Sequence, residues 1–109
     1  MEFKKGNIYA TAPMPPDGSE FSEVLLRHGN LMMERIISEG QTTTEGKWYD
    51  QDTDEWVLLL QGEARIEFAD AVTIDLSQGD YLWIPRHTLH RVVHTSKKPH
   101  CVWLALHAK

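Results

Sequence analysis

Imidazole is the side chain that changes charge near neutral pH and binds transition metals, and this chain of 109 residues carries six histidines. Five of them, His87, His90, His94, His100 and His107, fall in its last quarter. That clustering points to a metal or acid–base site, with scattered surface positions as the plain alternative. Asp50, Asp52 and Asp54 alternate as calcium ligands do. No glycine follows at the required place and the segment is too short, so a turn is the expected reading. Cys101 is the single cysteine and cannot make an internal disulfide. It reads as a buried, inert thiol, and one thiol fits a reducing, cytoplasmic setting.

Such groups do chemistry only if regular elements aim them at one place. The length allows one domain. Hydrophobic residues at 41% and charged residues at 25% exclude a disordered chain. The net charge of −5, with no dense Lys/Arg patch, argues against nucleic acid as partner. The longest strictly apolar run, Trp56 to Leu60, is too short to span a membrane, and no secretory signal is visible.

Three prolines between Thr11 and Gly18 predict an extended arm. After Gly18, turn-forming clusters recur at regular intervals with short apolar runs between them, which predicts an all-β sandwich or barrel. Strands are expected at 23–28, 31–38, 47–49, 56–61, 64–68, 72–75, 81–84, 90–95 and 102–107, with a short helix over 20–28 as an alternative for the first. Ala64 to Phe68 alternates apolar and polar, as a half-solvated strand does. Trp56 to Leu60 does not alternate, so both faces of that strand must be covered, the outer one by a second layer or a partner subunit. A homodimer is therefore expected.

Within this frame two stretches are specific. Gly79 is followed by Pro85, His87, His90 and His94. This run resembles the second signature of the cupin superfamily, with His87 where a second glycine is usual and His94 where asparagine is usual. Upstream, Gly46, Glu55 and Gly62 resemble the first signature, whose two histidine positions fall here on Tyr49 and Gln51. The resemblance covers roughly residues 31 to 107, with 1–30 as an N-terminal arm. It implies one domain folded as a double-stranded β-helix, the cupin jelly-roll barrel. It also implies one divalent metal ion (zinc, iron, manganese or nickel) held by Gln51, Glu55 and His90, with His87 as a further ligand, and substrate-binding roles for Tyr49 and His94.

The pattern has a geometric basis. Residues two apart on a strand face the same way, so 49 and 51 can reach into one cavity, and a turn at 52–54 would bring Glu55 beside them. The altered pair weakens the metal reading, because a neutral phenol and an amide oxygen are poor transition-metal ligands. A metal-free Glu55–His90 pair lining a pocket is the competing arrangement. His94, four residues from His90, would face the same way but about 13 Å along. His100 and His107 read as exposed or structural, and Trp48 and Trp56 as packing residues. Two functions stay open: a metal-dependent enzyme acting on a small polar metabolite, and a non-catalytic small-molecule-binding cupin with an altered metal site.

Overall fold

The structure is a computed structural model and describes residues 2–109. Eight strands make up its regular structure: β1 (Phe21–His28), β2 (Leu31–Ser38), β3 (Asp54–Gln61), β4 (Ala64–Phe68), β5 (Thr73–Leu76), β6 (Tyr81–Ile84), β7 (His90–Thr95) and β8 (Cys101–Ala108). Among the described residues there is no helix, and so none long and apolar enough to cross a membrane. Two antiparallel sheets result, a larger one in the order β1-β2-β8-β3-β6 and a smaller one in the order β5-β4-β7. This is the expected jelly-roll barrel.

Registers explain which residues meet. On the inner face of the large sheet, Ile36, Trp103 and Leu59 lie side by side on β2, β8 and β3, as do Met32, His107 and Glu55. Glu55 is also paired with Ile84 of β6. Val57, Leu59, Trp103 and Ala105 from the large sheet pack against Ala64, Ile66 and Leu76 from the small one. Leu59 is fully buried, and burial of such a side chain contributes about 1.5–3 kcal/mol.

The unalternating run in β3 is resolved by the second face. Val57 and Leu59 point inward, while Trp56 and Leu58 point outward. Trp56 belongs to a row that crosses the whole sheet: Leu26, Met33, Leu106, Trp56 and Trp83. The neighbouring row runs Glu23, Arg35, Leu104, Leu58 and Tyr81.

Three expectations change. The arm ends at residue 20, because 21–28 pairs with β2 as an edge strand instead of extending the arm to residue 30 or forming a helix. One end of the arm is tied to the sheet where Arg35 donates to the carbonyls of Ile8 and Ala10 at 3.2 and 2.7 Å. Residues 47–49 form no strand; Tyr49 makes a single bridge to His90. The hairpin from 49–51 into β3 is also absent. Asp54 opens β3 and accepts a hydrogen bond from the backbone N–H of Arg86, at 2.9 Å.

Candidate functional site

A cavity of about 180 Å³ opens inside the barrel between the two sheets. Its apolar wall is Ile36, Val57, Ile66, Ile84, Val92 and Trp103, and its polar groups are Glu20, Ser22, Glu34, Ser38, Tyr49, Gln51, Glu55 and His90. Four of the residues singled out from sequence, Tyr49, Gln51, Glu55 and His90, thus share one lining. Tyr49 and Gln51 reach it from a loop. Their backbone is pinned to the β6–β7 connection, Tyr49 N–H donating to His90 O at 2.8 Å and His87 N–H donating to Gln51 O at 2.8 Å.

Glu55 and His90 form the centre. Both are buried, at 8% and 5% exposure. His90 Nδ1 lies 2.8 Å from the carbonyl oxygen of Thr88. A carbonyl only accepts, so Nδ1 carries a proton and Nε2 is the nitrogen turned toward Glu55. That nitrogen stands 3.8 Å from Glu55 Oε1. The rings of Tyr49 and Phe68 flank the imidazole, with centroids 5.5 and 6.1 Å away.

Behind Glu55 lies a residue expected to be exposed or structural. His107 is buried and bridges two carboxylates, with Nε2 2.9 Å from Glu34 Oε1 and Nδ1 3.4 Å from Glu55 Oε2. The hydrogen bond to Glu34 raises the His107 pKa above the ordinary value, and the nearby charge of Glu55 adds to it against the opposing effect of burial. Burial pushes the Glu55 carboxyl upward, opposed by His107 and His90. Glu20 is raised by burial too, against the hydroxyl of Ser38, which donates to Glu20 at 2.8 Å. Burial, followed by the charge of Glu20, holds the Tyr49 phenol above its usual range, so at neutral pH it is a hydrogen-bond donor.

Two candidates lie elsewhere. His87 is outside the cavity lining; its Nδ1 meets Asp50 Oδ1 at 2.9 Å on the surface, where its side chain is 64% exposed. It adopts a left-handed backbone, φ 59°, at the position where the resembled signature has glycine. His94 is exposed beside Arg65 and Asp75. Counting by twos from His90 failed because β7 has a bulge. Ile66 pairs with Val92 but Arg65 with His94, so Val93 is extra, and the chain beyond it turns His94 outward and Thr95 inward.

Glu20, Glu34 and His107 were missed. The signal for His107 was present in the alternation Cys101, Trp103, Ala105, His107, whose first three members are fully or nearly buried. Glu34 had the same signal, alternating with Ile36 and Ser38. Glu20 precedes its strand and had none.

The fold, the paired motifs and the cavity between the sheets define the class. The family model for the cupin domain matches residues 34–107, and the chain belongs to that family. It is 33% identical over 75 residues to the uncharacterised protein YdbB of Bacillus subtilis (strain 168), an alignment covering 64% of this chain and 66% of that one. A crystal structure from Ralstonia eutropha JMP134, provisionally assigned as a mannose-6-phosphate isomerase, is 41% identical with a TM-score of 0.88, covering 97% of this chain and 98% of the other. A cupin superfamily protein from Desulfitobacterium hafniense DCB-2 superposes with a TM-score of 0.75 at 20% identity, covering 99% and 94%, a likeness of fold alone.

Cupin domains often hold a metal, and the cavity lining offers few donors for one. Tyr49 is a protonated phenol, Gln51 offers a neutral amide oxygen, and His90 is the single imidazole on the lining. Among the described residues, no three His, Cys, Asp or Glu side chains are arranged to hold one ion. One carboxylate, one imidazole and one amide oxygen do not fit zinc or nickel, which favour two or more nitrogen or sulfur donors.

Proposed function

We propose that the chain binds a small polar metabolite inside the barrel and that Glu55 and His90 serve it as an acid–base pair without a transition metal. The observation that carries this reading is the placing of His90 Nε2 3.8 Å from a buried Glu55 carboxyl at the wall of an accessible cavity. A carboxyl raised by burial, facing an imidazole nitrogen across the cavity wall, is placed to exchange a proton with a bound molecule. Tyr49 adds a donor, Gln51 adds an amide, and the Val57, Ile66 and Trp103 wall excludes water from one side. The resemblance to the structure assigned as an isomerase suits proton transfer, the step that isomerisation of a hydroxy-carbonyl compound requires.

The experiment is a comparison of metal content and metabolite retention in protein purified without chelator. The reading expects far less than one metal per chain, together with a bound metabolite that is lost in His90→Ala. A stoichiometric metal that disappears in His90→Ala would instead favour the metal-dependent reading, for which His90 Nε2, turned toward Glu55, is the supporting observation.

We infer further that the outer face of the large sheet meets a second copy of the chain. The row Leu26, Met33, Leu106, Trp56 and Trp83 supports this, since Leu26 and Trp83 are half-exposed and continuous with partly buried apolar neighbours. The buried, unpaired thiol of Cys101 suits a cytoplasmic setting.

A further inference from the structure

The sign of charge around the cavity narrows the ligand class, an inference that rests on the reading of the barrel as a small-molecule site. Three carboxylates, Glu20, Glu34 and Glu55, line the cavity, and neither lysine nor arginine does. His107 offsets one of the three, sitting between Glu34 and Glu55. Glu55 is 8% exposed and, among the described residues, has only loose ion pairs, with ring nitrogens at 3.4 and 3.8 Å. It is a buried carboxylate on the cavity wall, with the Gln51 amide beside it as a further partner.

A groove that adjoins the cavity at Glu20 and Tyr49 has the same sign. An outer groove shares Glu20, Tyr49 and Val92 with the cavity and adds Asp17 and Glu39, against Lys97 as its one lysine or arginine. Tyr49 stands where the two spaces meet and presents an aromatic ring beside the acids. Carboxylates with an aromatic face are the chemistry that recognises an organic cation. A phosphate monoester entering the same space would meet three carboxylates and no guanidinium or ammonium to pair with.

We propose that the cavity takes a small organic cation, with its ammonium or guanidinium group between Glu20 and Glu55 and its body against Tyr49 and Trp103, and that it rejects sugar phosphates. The proposal departs from the substrate named for the Ralstonia protein, at the level of the pocket's own charges.

The test follows the indole N–H of Trp103, which lies 3.2 Å from Ser38 Oγ and whose ring lines the cavity, by NMR titration of the full chain. The probes are ethylammonium, choline and methylguanidinium as cations, mannose as the neutral control, and mannose 6-phosphate and inorganic phosphate as anions. The expected result is a saturable Trp103 shift with at least one cation, weakened by added salt, and none with the anions. Glu20→Gln, which keeps an oxygen to accept from Ser38, should weaken that binding about tenfold while the unliganded spectrum stays folded. Glu55→Gln gives a second, independent reading of the same loss. If mannose or mannose 6-phosphate shifts Trp103 as strongly as any cation, the charge argument is overturned while the small-molecule cavity survives. If no probe of any class moves Trp103, both the cation proposal and the cavity reading fall.

Discussion

Glu55 and His107 sit directly opposite each other on β3 and β8, with Nδ1 of the imidazole 3.4 Å from Oε2 of the carboxylate. Glu34 reaches the other ring nitrogen from a diagonal position on β2, so the histidine is clamped by two acids under the cavity wall. The arrangement stabilises protons in the folded state and sets how stability depends on pH.

Glu20 and Glu55 are raised from an ordinary 4.5, and His107 from 6.5. A group whose folded pKa is raised holds its proton more tightly when folded. Its contribution is complete below the unfolded value and is lost as pH rises through the folded one. All three therefore act in one direction, and the urea unfolding midpoint should fall as pH rises from about 5 to about 8. Glu55→Gln should flatten that decline. A midpoint that is level or rising over this window would contradict the clamp. Asp54 and Asp75 are lowered by their arginine partners and act oppositely, but only near and below the ordinary carboxylate value of 3.8.

Gly62 should tolerate no side chain. Its φ is 96°, and a Cβ there would stand 2.8 Å from Cys101 Sγ and 3.0 Å from Cys101 Cα. Left-handed strain and overpacking together predict about 2–4 kcal/mol of destabilisation for Gly62→Ala. Cys101→Ala in the same chain should recover little, because the backbone contact and the dihedral remain. Chemical denaturation of the two variants measures both statements.

His87→Gly should leave the site intact. The histidine sits in the left-handed region, its side chain makes only an exposed contact with Asp50, and its backbone bond to Gln51 O needs no side chain. Relief of about 1 kcal/mol of strain offsets the larger unfolded-state freedom of glycine, so the melting temperature should hardly move. Metal content and metabolite retention should be unchanged. A lost ligand in this variant would return His87 to the site.

Restoring the two histidines of the family signature should create a metal centre. Tyr49 and Gln51 already face the cavity with Glu55 and His90. The double variant Tyr49→His, Gln51→His is expected to bind zinc or nickel at close to one ion per chain by elemental analysis, and the triple variant with His90→Ala to lose it. If the double variant binds no more metal than the parent, the loop does not present positions 49 and 51 as the lining implies.

Trp83→Glu should shift the chain toward monomer in light scattering, since it places a charge in the outer apolar row beside Trp56. Trp83 lies on the opposite face of β6 from Leu82 and Ile84, so circular dichroism should stay native. A parent protein that is monomeric at micromolar concentration would remove the dimer.

Much of the barrel was legible because its strands obey a two-residue period between glycine-marked turns. Leu31–Ser38, Ala64–Phe68, Tyr81–Ile84 and His90–Thr95 lie where the sequence places them. The gathering of Tyr49, Gln51, Glu55 and His90 was legible for a different reason, the spacing of two signatures. What escaped reading depends on interruptions and on distant chain segments. The bulge at Val93 leaves no clear mark in the sequence, yet it decides that His94 faces out. His107 and Glu34 are 73 residues apart, and only the pairing of β2 with β8 brings them together. Residues 47–49 read as a strand because Trp48 and Tyr49 favour one, but Tyr49 makes only the single bridge to His90 and the segment is held as a loop.

The arm has a practical corollary for anyone who handles this molecule. Arg35 is 5% exposed, ion-paired with Glu23 and hydrogen-bonded through Nη1 to the carbonyl oxygens of Ile8 and Ala10. Trimming the first ten residues would leave the guanidinium with Glu23 alone, on the outer face proposed above to meet a second copy. A purification handle fused at this terminus would hang over the same seam, so its removal, or its relocation to the other end, belongs among the controls for any measurement of assembly.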